Sequence, residues 1–493
     1  MNSVPIARLL LALAGLLATG LASAQSVPGV ALQPCWLDGL SRQAQCGVVR
    51  RALDPLTPQG VQIDVHFAVL SAVARHKKPD PVFFLAGGPG QSALGVAGPM
   101  AGRFARLNMR RDLVLVDVRG TGRSAPLQCE VEASTLPLAL SLDRARQMQR
   151  LRECRETLQR LPWGDLTKYT TTLAMADVDA VRAALGAQQI NLVGGSYGTR
   201  AALEYQRLFG AHVRRLVIDG VAPPDMALPA SFSPDNQAVL DAVFSACEND
   251  PACHKAHPRL RARWQALLFS LPRRATVVQP LTGQREAVML TREHLLGLVR
   301  GPLYVPALAA GLPVALDEAA QGRFDALLGL ASAMAPARPG TPMAAGLHFS
   351  VVCAEDMSRL PGSVDKPGAD FGRAFEDIYR DVCAHWPVAP VDPGFYEVGV
   401  SAAPVLVMSG GLDPVTPPRH GERVAAALGA KAQHVTVANA GHGLLGLGCA
   451  NDIVHRFINA ADDTTAMTLG DLSCLLKLQR PQAYQPVRAG AAP

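Results

Sequence analysis

The chain has 493 residues, 49% of them hydrophobic and 18% charged, enough to bury one large core or the cores of two domains. Its formal charge of +6 comes from basic residues spread along the whole length, which excludes a concentrated nucleic-acid face and reads as solvated surface. The first residues read as an export signal. Arg8 precedes the apolar run Leu9 to Leu17, and Ala22-Ser23-Ala24 offers small residues for cleavage, so residues 1–24 are expected to be removed. Without a cysteine directly after the cleavage site, and with no other apolar run long enough to span a bilayer, no membrane anchor is expected in the mature chain. All ten cysteines lie in that mature part, in local couples: Cys35 with Cys46, Cys129 with Cys154, Cys247 with Cys253, Cys353 with Cys383, Cys449 with Cys474. Near-neighbour disulfides in an oxidising compartment, periplasmic or extracellular, are the simplest reading. No two cysteines form a Cys-x-x-Cys pair, so a metal site is not expected.

Two early strands are expected between residues 46 and 72, including the mostly alternating run Val61 to Leu70. Pro81 to Leu85 is continuously apolar, as a buried parallel strand is, and runs into Ala86-Gly87-Gly88-Pro89-Gly90. Such a loop at the end of a central strand can offer bare N–H groups to a substrate oxygen; it lacks the Lys-Ser/Thr ending of a phosphate loop, and no cofactor is expected. Leu113 to Val116 is the next strand, followed by Asp117-Val118-Arg119-Gly120-Thr121-Gly122-Arg123-Ser124, where Asp117 and Arg119 read as a structural ion pair. Residues 127–168 are a polar, Arg-rich excursion, and Thr172 to Leu185 has helical spacing.

The next stretch, Ile190 to Thr199, is an apolar run that enters Gly194-Gly195-Ser196-Tyr197-Gly198 and leads into a helical pattern. Gly-x-Ser-x-Gly between a strand and a helix is a nucleophile elbow, in which a sharp turn lifts a serine hydroxyl out of the sheet. A Cβ at Gly194 or Gly198 would collide with backbone there. A strand over Val213 to Val221 follows. From 223 to 396 the strand–turn–helix rhythm stops, and a mainly helical cap is expected. The rhythm resumes at Ala403 to Met408, which leads into Ser409-Gly410-Gly411-Leu412-Asp413, with Thr416 able to cap a helix ending at Leu428. Gln433 to Val437 is the last strand, leading to Gly441-His442-Gly443, and a helix over 452–460 closes the core.

A serine hydroxyl needs a base, and the base an orienting acid. Ser196, Asp413 and His442 stand in the order Ser, acid, His, the last two in Gly-rich turns after apolar strands, so a parallel sheet would carry all three to one rim. The oxyanion hole is expected from the N–H groups of Tyr197 and Gly88, with Gly87 second.

These motifs together resemble the proline iminopeptidase family of α/β-hydrolases. The cysteines, export signal and long cap resemble its tripeptidyl aminopeptidase branch. Ala86 departs from the His or Asn often found before Gly-Gly-Pro-Gly in that family. The resemblance implies an α/β-hydrolase fold, a mostly parallel sheet flanked by helices with the cap inserted before the acid-bearing strand. It also implies release of residues or short peptides from a free N-terminus. An α-ammonium then needs a carboxylate, and Glu355, with Asp356 second, is the candidate in the cap. A carboxylic-ester hydrolase with the same three residues is the alternative, and a catalytically dead binding protein on this fold a third reading that the intact residue set argues against. The expected partner is a peptide or small-molecule substrate, and the expected state a monomer.

Overall fold

The computed structural model describes residues 30–334 and 343–485. The expected export segment lies outside them. Eleven strands occur in the described chain: β1 Gln33–Cys35, β2 Ala44–Ala52, β3 Gln62–Leu70, β4 Val82–Leu85, β5 Leu113–Val116, β6 Ile190–Gly195, β7 Val213–Asp219, β8 Arg273–Val278, β9 Arg285–Leu290, β10 Val405–Gly410 and β11 Ala432–Val437. Nine form one sheet in the order β1-β2-β3-β5-β4-β6-β7-β10-β11. The first three run antiparallel, and every pair from β5 across to β11 is parallel.

The parallel strands are continuously apolar because both faces are covered. In β4, Phe83 and Leu85 point into one core with Val178, Val181, Ala202 and Tyr205 of the helices Thr171–Ala184 and Tyr197–Phe209. Val82 and Phe84 point into the opposite core with Met100, Phe104, Ile453 and Phe457. The side-chain period of two thus sorts each strand between two helical layers.

All five expected cysteine couples are disulfides. The Cys35–Cys46 link joins β1 to β2; β1 is too short to carry a strand pattern in sequence.

Between β7 and β10 lies a long insertion of helices. It also holds an antiparallel hairpin, β8–β9, where a mainly helical segment was expected. The β-branched run Thr276-Val277-Val278 favours strand, and the Gln279 side chain closes the turn by accepting from the N–H groups of Leu281 and Thr282. Residues 239–328 bury a core of their own around Trp264, Leu296, Leu316 and Phe324. The helix Ala345–Glu355 instead joins the main core through Leu347, Phe349 and Val351.

The expected Asp117–Arg119 pair does not form. Asp117 accepts from the Ser92 hydroxyl and the Leu94 N–H. Arg119 turns to Asp177, at 2.7 and 3.0 Å, and both are completely buried. The forked guanidinium finds a bidentate partner on the helix packed behind the sheet, while Asp117 is better satisfied by its own loop. Removing one member of such a pair strands a buried charge. Asp177→Asn should cost about 3–5 kcal/mol of unfolding free energy, measurable by chemical denaturation.

Candidate active site

Ser196 sits between β6 and the helix Tyr197–Phe209 with φ 57° and ψ −126°, a conformation that costs a non-glycine residue about 1–3 kcal/mol. The strain is held by crowding. A Cβ at Gly198 would collide with the carbonyl of Leu85 on β4, and one at Gly194 with the carbonyl of Gly198. The Ser196 N–H donates to the carbonyl of Asp219 at the end of β7 (2.9 Å), which ties the turn to the neighbouring strand.

Asp413 follows β10 and is fully buried. It accepts from the N–H groups of Val415 and Thr416 (both 2.9 Å) and from the Thr416 hydroxyl (2.7 Å). The Nδ1–H of His442, in the turn after β11, donates to its Oδ2 at 2.8 Å. Thr416 therefore orients the acid rather than capping the helix Pro418–Leu428, whose flanking residue is Pro417. Its hydroxyl oxygen also lies 3.1 Å from His442 Nδ1. Asp219 pins the same turn by accepting from the N–H groups of Leu444 and Leu445. Burial disfavours the imidazolium, but the charge and hydrogen bond of Asp413, with the charge of Asp219, outweigh it and hold His442 above its ordinary pKa of 6.5. Burial likewise pushes Asp413 up, and His442 with the two N–H donors brings it below the usual carboxylate range.

Ser196 and Thr416 line one cavity of about 220 Å³, together with Gly88, Tyr197, Arg200, Phe232, Arg300, Tyr304, His348 and Tyr379. His442 joins its edge: the Tyr304 ring meets the imidazole edge-on at 5.3 Å, and the His442 N–H donates to the Tyr304 carbonyl. The Ser196 hydroxyl and the imidazole are not hydrogen-bonded to each other in this arrangement. Contacts between a nucleophile and its base commonly tighten only around a bound substrate. An apolar cleft elsewhere, of about 170 Å³ beside Val239 and Leu303, has no serine, histidine or cysteine thiol on its wall.

The loop after β4 lies against the turn, since a Cβ on Gly87 would be 3.3 Å from Ser196 Cβ. The Gly87 N–H donates to the Gln91 side chain (3.2 Å), whereas Gly88, at φ +116°, lines the cavity. This favours Gly88 over Gly87 as an oxyanion donor. Tyr197 is the first helical residue, so its N–H has no intrahelical acceptor. A polar side chain missing at Ala86 is made good from elsewhere: His348 Nδ1–H donates to the Pro89 carbonyl (3.3 Å), and the Tyr379 hydroxyl donates to His348 Nε2 (2.9 Å). Burial lowers the His348 pKa to about 4 and keeps this ring neutral.

Glu355 and Asp356 are not on the cavity wall, contrary to the expectation that they face an α-ammonium. Both are buried behind Arg200 and Tyr197. Arg200 grips both oxygens of Asp356, at 3.0 and 3.1 Å, and lies 3.7 Å from Glu355. Glu355 accepts from the Thr171 N–H (2.7 Å) and hydroxyl (2.8 Å), and the Tyr197 hydroxyl donates to that same Thr171 oxygen (2.6 Å). Burial, only partly offset by Arg200 and Thr171, raises Glu355 to about 7. The cation that these acids meet is internal, and two adjacent acids in sequence do not reveal an arginine 155 or more residues away.

Residues 80–448 match the family model described as the alpha/beta hydrolase fold. The chain belongs to the α/β-hydrolase fold family. Among relatives of this α/β-hydrolase, the tripeptidyl aminopeptidase of Streptomyces lividans is 26% identical over 423 residues, spanning 79% of this chain and 76% of that protein. Carboxylesterase B of Mycobacterium tuberculosis is 28% identical over 432 residues, 79% of each chain. Serine protease Hip1 of Mycobacterium tuberculosis is 25% identical over 411 residues, 77% of this chain and 78% of that protein. The chain is thus a serine hydrolase of this fold.

A base must be unprotonated to accept the serine proton. Because His442 is held above 6.5, kcat/KM should fall as pH drops through a value above 6.5, as a one-proton limb in a pH–rate profile. Asp413→Asn should lower kcat on the order of 10⁴-fold, because the amide favours the wrong imidazole tautomer.

Proposed function

We propose that this serine hydrolase is exported and cleaves acyl bonds through Ser196, His442 and Asp413, as an aminopeptidase on short peptides with a free N-terminus. The observation that carries the reading is the 2.8 Å Asp413–His442 pair at the edge of the cavity that Ser196 lines. His442 Nε2 takes the Ser196 proton as the oxygen attacks the carbonyl carbon. The oxyanion accepts from the Tyr197 and Gly88 N–H groups. Collapse passes the proton to the leaving amine and leaves an acyl-serine, which water cleaves by the same steps. Asp413 stabilises the imidazolium and fixes its tautomer. The five disulfides support export. Similarity to the tripeptidyl aminopeptidase and to Hip1 supports a peptide substrate.

A second reading, carboxylic-ester hydrolysis by the same residues, is favoured by one observation. The cavity wall bears no Asp or Glu, so an α-ammonium would rely on hydroxyl and carbonyl oxygens alone.

Ser196→Ala should abolish turnover and labelling by a fluorophosphonate, while the wild-type label maps to Ser196. A free-amine peptide anilide, its N-acetylated twin and a short acyl ester separate the two readings. The aminopeptidase reading expects the free amine to be cleaved well ahead of its twin. Equal cleavage of the two, or ester turnover alone, transfers the assignment to the ester class.

A further inference from the structure

Two arginines line the cavity, and they are in opposite situations. Arg200 is neutralised: Asp356 takes it on two nitrogens, and the carbonyls of Pro223 and Met226 accept from it as well. Arg300, on the insertion helix Arg292–Leu303, has no such partner. Among the described residues no carboxylate oxygen lies within 4.0 Å of it, and the residues outside that set include no Asp or Glu. Among the described residues its one hydrogen bond runs from Nη2 to the Tyr304 hydroxyl (3.1 Å), and its Nε is buried with no acceptor there.

Aromatic rings surround this guanidinium: its central carbon lies 4.6 Å from the Phe232 ring centre, 5.2 Å from Phe375 and 5.7 Å from Tyr304. Rings stabilise a cation through their faces and cannot accept the N–H bonds that radiate in the guanidinium plane. The group is half-buried and held among the rings, with its Nε buried and one Nη2 hydrogen bond made, so the rest of its fork is open to the cavity. Its positive charge also disfavours protonation of His348 and His442 and favours ionisation of Tyr304 and Tyr379, so it is close to the whole site. A fork of donors on a partly apolar cavity wall without an acid matches the planar geometry of a carboxylate.

We propose that Arg300 binds a carboxylate of the substrate, so that the cavity selects acyl compounds carrying a negative charge on the part that lies against the insertion. This deepens the hydrolase reading and rests on it. The carboxylate can belong to an acidic peptide residue or to a dicarboxylic half-ester, and the chemistry at Arg300 is the same.

The test compares kcat/KM within two pairs: a peptide anilide carrying Glu against the same peptide carrying Gln, and the p-nitrophenyl monoester of glutaric acid against its terminal amide. The charged member should lead by roughly tenfold or more, mostly through KM, in at least one pair. The pair that shows the preference identifies the source of the carboxylate. Arg300→Gln should bring that ratio close to one, and Arg300→Lys should leave part of it, since lysine keeps the charge and loses the fork. Free glutarate should inhibit the wild-type enzyme more tightly than glutaramide, a measurement that needs no variant to fold. No charge preference in either wild-type pair, or a ratio unchanged in a folded Arg300→Gln protein, overturns the assignment of Arg300. Undiminished turnover by Ser196→Ala overturns the hydrolase mechanism instead, so the two failures are distinct.

Discussion

The site depends on a close backbone crossing. Gly198 rests on the carbonyl of Leu85, and Gly194 rests on the carbonyl of Gly198. Without side chains at these two positions, β4, β6 and the helix behind Ser196 approach closely enough to force that residue to positive φ. The same crossing brings the Gly87–Gly88 loop against the serine. Strain at Ser196 and placement of the Gly87–Gly88 loop therefore have one origin, paid for by the packing of the two cores on either side of the sheet.

Charge is organised around that crossing in two shells of different character. Acids that are buried and saturated with donors, Asp413 and Asp219, fix the imidazole turn. At and behind the cavity wall, Arg200 with Glu355, Asp356 and Thr171 forms a compensated cluster that reaches the Tyr197 hydroxyl and so backs the residue that follows Ser196. The cavity wall itself carries two arginines, of which Arg200 is paired from behind, and no Asp or Glu, which sets its electrostatic preference apart from that of its supports.

The parallel strands, the sharp turn at Ser196 and the turns that carry Asp413 and His442 were legible in the sequence because each is a local pattern: an apolar run ending in glycine-rich turn residues. The five disulfides match the simplest reading, near-neighbour couples in an exported chain. What sequence did not disclose are partnerships across long separations. Arg119 chooses Asp177 over its near neighbour Asp117, and Thr416 serves Asp413 instead of a helix end. Glu355 and Asp356 look like free acids until Arg200 is placed beside them. Arg300 carries no local signature, since an arginine near a helix end is ordinary until it is seen to lack a counter-ion.

The seam at Tyr304 has an evolutionary corollary. Its carbonyl receives the His442 N–H, its ring meets the imidazole edge-on, and Gly441 has no room for a Cβ beside it. The insertion is thereby stitched to the turn that carries His442 by main chain, irrespective of which side chains it carries. Its pocket-facing residues can diversify freely to suit new substrates, but the segment cannot be transplanted whole between scaffolds unless the donor brings a matching peptide group to the same spot.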